Sequence, residues 1–439
     1  MEALSWLCAR SKFGWRFGLQ NTKLLLEKLG SPQLAYKIVH VGGTNGKGST
    51  CQFTAQGLIE AGYRVGVYTS PHLERFSERI QVNNREISEA KISEGLELIK
   101  PLVQELEDQK KYLTFFEVTT TLALWYFKEM GVDLAVVEVG LGGKLDATNV
   151  LTPVIACITN VSMDHLTILG NTIEKIARDK SQIIKQGIPV VTAAKGKALE
   201  IVEERAKEMN SKIIKIGKTV KWERTSRGMH GQDFLVKTRS DTYRLHTLLL
   251  GSYQGDNIAC ALSILEGLEN LGFSLPKSAL IRGIEKLFLP GRSEIISRHP
   301  LILLDSAHNE AAIESIKCLI SEDLDFEDLI LVLGIFKDKR VTQMVRLIVP
   351  LAKKIIATQP NNSRGMEATG LLETVKHNTR ARTFLKQNPT DAFDLGRELA
   401  NPQDLVLVCG SLALAGEIRS HASRFFELKG KREPHPAII

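Results

Sequence analysis

The ten residues VGGTNGKGST, 41–50, constrain this chain more than any other segment. An apolar run, KIVHVG (37–42), leads into them, and a helix-compatible run, 47–61, follows. Strand, glycine-rich loop, lysine and helix in that order point to a phosphate-binding loop. The unpaired N–H groups and dipole of a helix N-terminus attract phosphate, and glycines let the backbone approach it closely. The common form, G-x-x-x-x-G-K-[ST], puts a hydroxyl directly after the lysine. Here Gly48 separates Lys47 from Ser49 and Thr50. A dinucleotide fingerprint has no place for the lysine, so ATP is the expected ligand, with Lys47 reaching its outer phosphates.

Around this unit, strand-like and helix-like runs alternate. YRVGVYTS (63–70), VDLAVVEVG (132–140) and TPVIACIT (152–159) read as strands, and 88–108, 115–130 and 172–185 as helices. Such alternation predicts a parallel sheet with helices on both faces. Residues 211–250, rich in turn residues and short alternating runs, predict a small antiparallel β insertion, with helices at 256–272 and 276–286 after it. FLPGRSE (288–294) is a Pro-Gly punctuation, and a boundary there divides the chain into 1–293 and 294–439. Beyond it PLILLDSAHN, DLILVLGIF, AKKIIATQ and QDLVLVCGS restart the alternation as a second doubly wound α/β unit. With 439 residues, two or three domains are expected at about 150 residues each.

Composition narrows the partners. Net charge is +7, yet basic residues form no dense block interleaved with aromatics, apart from the short KGKRE at 429–433, so nucleic acid is not an expected partner. No apolar run is long enough to span a bilayer, and the first eighteen residues lack the basic and apolar regions of a secretion signal. The six cysteines form no C-x-x-C pair and read as reduced. A cytoplasmic protein without a membrane partner is expected.

Other candidate residues cluster at strand ends, where open α/β sheets bind ligands. Ser70, in YTSPHLERFSERIQVNN (68–84), is placed to give an oxygen to Mg²⁺, although a plain surface loop fits the same residues. Glu117 stands in the apolar stretch 115–124. A carboxylate buried there needs a partner or a metal, while periodicity alone makes it a helix-surface glutamate. EVGLGGKLDATN (138–149) offers glycines for close packing on a ligand, with Asp146 and Asn149 as polar contacts. In NVSMDHLTILG (160–170), Asp164 and His165 are within reach of metal or nucleotide, but Mg²⁺ prefers oxygen and a lone histidine is more often structural. Past the boundary, Arg292, Asp305 and His308 face the expected cleft; a helix start capped by Ser306 or Asn309 is the competing reading. Ser411 follows the last strand on the same edge.

Taken in order, GTNGKGST, TSPHLERFSERI, EVGLGGKLDATN, the DH segment at 164–165, PGRSE, DSAHNE and VCGS resemble the folylpolyglutamate synthase and dihydrofolate synthase family of the Mur ligase superfamily. The resemblance covers nearly the whole chain. It implies a P-loop parallel-sheet ATPase domain of Mur ligase type followed by a smaller Rossmann-like α/β domain that serves glutamate ligation. It implies ATP held by Thr44, Asn45, Gly46, Lys47, Gly48, Ser49 and Thr50, and from the domain interface by Asn257, Arg292, Asp305 and His308. Ser70, Glu117 and His165 would hold Mg²⁺. Pro71, His72, Asp146 and Ser411 would contact substrate, Ser411 on the glutamate side. Lys47, Lys180 and His308 would be catalytic, Lys180 as a carbamate formed with CO₂.

The chain departs from the family pattern at Lys144, where arginine is usual, at Asp179 and Ser181–Gln182 around Lys180, and at Ser306 and Glu310 around Asp305 and His308. The implied reaction adds L-glutamate to dihydropteroate, to the γ-carboxyl of folate polyglutamates, or to both, through an acyl phosphate. A monomer is the family expectation. The alternatives are another amino-acid ligase of the superfamily and a non-catalytic P-loop module. Asp305, His308 and Ser411 disfavour the module, since a nucleotide switch needs no amine-substrate site.

Overall fold

A computed structural model describes residues 2–14 and 18–428; the KGKRE segment lies outside them. Among the described residues the strands form three sheets. The first contains β1 (Lys37–Gly42), β2 (Val65–Tyr68), β3 (Ile80–Val82), β4 (Arg85–Glu86), β5 (Leu134–Glu138), β6 (Ile155–Ile158), β7 (Val190–Thr192) and β8 (Ile213–Lys215). Their order is β4-β3-β2-β5-β1-β6-β7-β8. The run from β2 to β8 is parallel, and the β3–β4 hairpin adds an antiparallel edge. The second sheet is antiparallel, from β9 (Lys221–Ser226), β10 (Gln232–Lys237) and β11 (Thr242–Thr247). The third contains β12 (Glu294–Arg298), β13 (Leu301–Leu304), β14 (Leu329–Leu333), β15 (Lys354–Ala357), β16 (Arg382–Leu385) and β17 (Leu405–Cys409), in the order β12-β13-β17-β14-β15-β16. Only its β12–β13 pair is antiparallel.

The central strands are apolar on both faces because both faces are covered. On β1, Val39 and Val41 join one core with the helices Lys47–Glu60 and Gln254–Glu269. Ile38 points the other way, into a core built on the helices Glu89–Asp108 and Phe115–Glu129. That second core also takes Leu7, Leu25 and Leu26 from the N-terminal helices Glu2–Ala9 and Gln20–Lys28. The third sheet likewise buries Leu331 and Leu407 on one face and Val332 and Val408 on the other.

One boundary differs from expectation. The predicted insertion at 211–250 splits: β8 extends the parallel sheet beside β7, and the antiparallel unit occupies only β9 to β11. Ile213–Lys215 is short and half-buried, so its alternation does not separate an edge strand from a hairpin. No helix among the described residues is long and apolar enough to cross a membrane.

Candidate active site

The chain order places β1 between β5 and β6, so the connections after β1 and β6 leave in opposite directions across the sheet. A crevice opens at such a switch point, outside the carboxyl ends of the strands. Here it is a cavity of about 230 Å³ lined by the loops after β1, β2, β5 and β6 and, from the third sheet, by the loop after β13.

The loop after β1 is pinned from below. Thr44 N–H donates to the Asn160 carbonyl (2.9 Å) and Asn45 N–H to Asn160 Oδ1 (2.9 Å). Thr159 Oγ1 donates to the Asn45 carbonyl at 2.7 Å. Gly46 then turns with φ 81°, in the left-handed region, and a Cβ there would lie 2.2 Å from Asn257 Oδ1. Only glycine satisfies both demands. The helix starts at Lys47, leaving the amides of its first turn without intrahelical partners. Lys47 Nζ donates to the Thr44 carbonyl (3.0 Å) and lies 3.8 Å from Glu138 Oε1.

Glu138 faces the extra glycine of the opening motif. Val41 of β1 pairs with Glu138, the last residue of β5, so its side chain meets the start of the helix. A Cβ on Gly48 would make ordinary van der Waals contact with Glu138 Oε2, at 3.5 Å. Burial raises the Glu138 pKa, opposed by Lys47 and by the Ser70 N–H, which donates to Oε2 at 3.1 Å.

Asp164 joins the two halves of the chain. Lys339 Nζ, from the loop after β14, donates to Oδ1 at 2.6 Å, and Asn309 Nδ2 donates to Oδ2 at 3.0 Å. Asn309 and Asn45 also exchange amide hydrogen bonds of 2.9 and 3.1 Å. Burial would raise the Asp164 carboxyl, but the neighbouring His165, Lys339 and His308 hold it far below the usual range. Burial pushes His165 down to about 3 and His308 to about 4. Both imidazoles are therefore neutral at pH 7, and Lys339 is the cation that matters there. His308 Nδ1 faces the Ser306 carbonyl at 2.9 Å, so Nδ1 carries the proton and Nε2 is the free lone pair.

The Asp164 and Lys339 side chains are 8% and 5% exposed, so the pair is a buried one. Lys339→Met is expected to lower stability by about 3 kcal/mol or more by stranding the carboxylate, and Asp164→Asn in the same chain to recover part of the loss. Denaturant midpoints of the single and double variants check this.

Of the expected residues, the structure brings Thr44 to Ser49, Ser70, Pro71, His165, Lys180, Asn257, Arg292, Asp305 and His308 to the cavity wall. Lys180 is buried, and its Nζ donates to the Gly43 carbonyl at 2.8 Å. Asp305 is fixed by Ser293 N–H (2.7 Å) and Ala307 N–H (2.7 Å); burial raises its pKa and Arg292 opposes the rise.

Five expected residues are placed elsewhere. Glu117 is neither a surface residue nor part of the cavity wall. It sits at N3 of its helix in a capping box, accepting from Thr114 N–H (2.8 Å), Thr114 Oγ1 (2.9 Å) and Thr22 Oγ1 (3.1 Å). Thr50 is wholly buried, and its hydroxyl finds no partner. Asp146 is buried too, with Leu141 N–H (2.8 Å) and Thr148 N–H (2.9 Å) holding its carboxylate to its own loop. Ser411 is enclosed and accepts from Leu414 N–H at 3.2 Å, capping the last helix. His72 lies beside the cavity, accepting at Nδ1 from Arg79 Nε at 2.8 Å.

Glu138 and Lys339 were not anticipated. Glu138 left a signal: an acid ending the apolar strand LAVVE, immediately before a glycine loop. Lys339 left none, since its partner is 175 residues away.

No group of three or more His, Cys, Asp or Glu side chains among the described residues forms a metal site by itself. Glu138, a buried carboxylate, nonetheless lines the same cavity as Ser49, Ser70 and the phosphate loop, a donor set that suits Mg²⁺, which binds through one or two carboxylates plus substrate phosphates.

The chain matches the Mur ligase middle domain over residues 41–265 and the Mur ligase, glutamate ligase domain over 291–412. It is 35% identical, over 95% of its length and 98% of the relative's, to a dihydrofolate synthase/folylpolyglutamate synthase of Bacillus subtilis. It is 34% identical, over 96% of its length, to a probable bifunctional folylpolyglutamate synthase/dihydropteroate synthase of Haloferax volcanii, of which it spans 50%. Among solved structures, the Mycobacterium tuberculosis folylpolyglutamate synthase complexed with ADP superposes with a TM-score of 0.91 at 27% identity, covering 99% of each chain.

Proposed function

The chain belongs to the Mur ligase family, in its folylpolyglutamate synthase and dihydrofolate synthase branch, and from that membership we propose that it is an ATP-dependent ligase joining L-glutamate to a pteroate or folate acid. The observation that carries the reading is the meeting, in one cavity, of a phosphate loop from the first sheet and the DSAHN loop from the third, with Glu138 buried beside Lys47. We assign residues 1–293 to the ATP-binding unit and 294–439 to the glutamate-ligase unit. A monomer, the expectation for the family, is the state we assign, and the cytoplasm the compartment.

In this reading Lys47 and the first-turn amides hold the β- and γ-phosphates of ATP. Asn257, Arg292, Asp305 and His308 hold the rest of the nucleotide from the cleft. Glu138, Ser70 and His165 would hold Mg²⁺, with Glu138 in place of Glu117. Bound there, Mg²⁺ would neutralise phosphate charge. A carboxylate oxygen of the acid attacks the γ-phosphorus, the bond to the ADP oxygen breaks, and an acyl phosphate forms. The amine of glutamate then attacks the acyl carbon, loses a proton, and phosphate leaves with the bonding pair. His308 Nε2, low in basicity and held by Ser306, orients the nucleophile's N–H rather than storing its proton. Pro71 and His72 flank the acid, and domain contact through Asp164 and Lys339 keeps water from the acyl phosphate.

Lys180 is the candidate for modification by CO₂. Burial and the nearby Lys47 lower its pKa to about 7, so a neutral amine is available at physiological pH. That amine plus CO₂ gives a carbamate and releases a proton, replacing a cation beside Lys47 with an anion. Isotopically labelled bicarbonate is expected to give a carbamate carbon resonance that Lys180→Ala lacks; an identical spectrum from both proteins contradicts the modification.

The function is tested by product formation from ATP, Mg²⁺ and labelled L-glutamate, with dihydropteroate and with tetrahydrofolate as separate acceptors. Product with either supports the ligase, and which acceptor works defines the branch activity. ATP binding without product from either contradicts it.

A further inference from the structure

The loop after β2 carries Ser70 and Pro71 into the cavity, and it is built to be held from outside. Within the loop, Glu78 accepts from the N–H groups of Leu73 (2.7 Å), Glu74 (3.0 Å) and Arg75 (2.8 Å). One carboxylate thus fixes three successive amides and turns Leu73 and Glu74 outward, towards the third-sheet unit. There the loop meets the last helix, Leu412–Leu428, at a notch. A Cβ on Gly416 would lie 2.1 Å from the Leu73 carbonyl oxygen, and one on Gly291 3.0 Å from the Leu73 side chain. Backbone therefore packs directly on helix, and only glycine at 416 permits it.

Arg419, one turn along the same helix, fastens this contact. Its Nη1 donates to Glu74 Oε1 at 2.6 Å, and its Nε to Glu294 Oε2 at 2.9 Å. Glu294 Oε2 in turn accepts from Gly291 N–H at 2.7 Å, on the turn that carries Arg292 into the cavity. A single guanidinium thus ties together the acid-side loop and the Arg292 turn. The planar fork of arginine serves two carboxylates at fixed angles, which an ammonium does not. The Glu74 and Glu294 side chains are 16% and 8% exposed, so the bridge is shielded and worth more than a surface pair.

Resting on the ligase reading above, we propose that Arg419 is a positioning residue for that reaction, docking the 70–79 loop through Glu74 in the Gly416 notch so that the acid-side wall of the cavity is set by the C-terminal helix. The helix does not touch the reacting atoms; it decides where Ser70 and Pro71 stand when the two units are together. Acid binding then depends on the docked state of the C-terminal unit.

The test uses the full chain with Arg419→Ala, Arg419→Lys, Glu74→Gln and Gly416→Ala. The last is informative because alanine favours a helix over glycine, so that change strengthens the helix while undocking the loop. Two readouts are taken. Hydrogen exchange of the 73–75 amides is expected to rise in Arg419→Ala, Glu74→Gln and Gly416→Ala relative to wild type. KM for the acceptor acid is expected to rise about tenfold in the same variants, with KM for ATP in Glu74→Gln moving less than about twofold, and Arg419→Lys falling between. Unchanged exchange overturns the docking. Raised exchange with an unmoved acceptor KM overturns the positioning role. Should the wild type make no product, the ligase reading fails while exchange still decides the docking.

Discussion

Glu138→Ala is expected to reduce MgATP-dependent ligation at least about a thousandfold, whereas Glu117→Ala is expected to leave turnover near wild type and to cost stability instead. The contrast follows from where each carboxylate is placed. Glu138 ends β5 opposite Val41, 3.8 Å from Lys47, and lines the cavity. Its burial is unfavourable, as its raised pKa records, and its polar partners are the Ser70 amide and Lys47. Removing it is therefore expected to hold or raise the melting temperature while abolishing activity, the pattern of a site strained for function. Glu117 is the converse. Its oxygens satisfy Thr114 N–H, Thr114 Oγ1 and Thr22 Oγ1, so truncation strips a helix cap and leaves buried donors unpaired. A loss of about 1–2 kcal/mol is expected. Ligation rates across a Mg²⁺ titration, beside denaturation of both variants, check the pair. Full activity in Glu138→Ala, or inactivity of a folded Glu117→Ala, would reverse the assignment.

The second large effect is at Lys47. Lys47→Ala is expected to lower ligation about a thousandfold or more with the fold retained. Its polar contacts are the Thr44 carbonyl and Glu138. Its loss also acts through its neighbour. Lys47 is the main charge opposing the raised pKa of Glu138, so without it Glu138 holds its proton to higher pH. Metal binding needs the carboxylate deprotonated. The Mg²⁺ requirement of the variant is expected to ease as pH rises, with activity still far below wild type. Circular dichroism confirms the fold and rate measurements over pH confirm the rest; wild-type turnover at any pH contradicts the role.

What could be read in the sequence followed from how local each signal is. KIVHVG, the glycines, Lys47 and the following helix are contiguous, so the phosphate loop was legible as a unit. Departure from the common motif was legible too, but what Gly48 faces was not, because Glu138 comes from another strand. Glu117 misled for a related reason. An acid inside an apolar stretch demands a partner, and its partners, Thr114 and Thr22, lie outside the stretch that raised the question. Ser411 and Asp146 stand in the loops that follow strands and belong to caps and loop bonds, which the same residue types serve equally well. Lys339 with Asp164, and Arg419 with Glu74, join positions far apart in sequence, each pair linking a loop of the first-sheet unit to the third-sheet unit. No periodicity or motif spacing records such pairs; only the packed fold brings them together.

The central claim is that the acid is activated by phosphoryl transfer in this cavity before glutamate attacks. Acceptor acid labelled with heavy oxygen in its reacting carboxylate tests it most directly. Turnover with ATP and glutamate is predicted to deliver one labelled oxygen to the inorganic phosphate released, since the acyl phosphate breaks at the carbonyl carbon and its bridging oxygen leaves with phosphorus. Inorganic phosphate free of label, with amide product formed, would contradict the account.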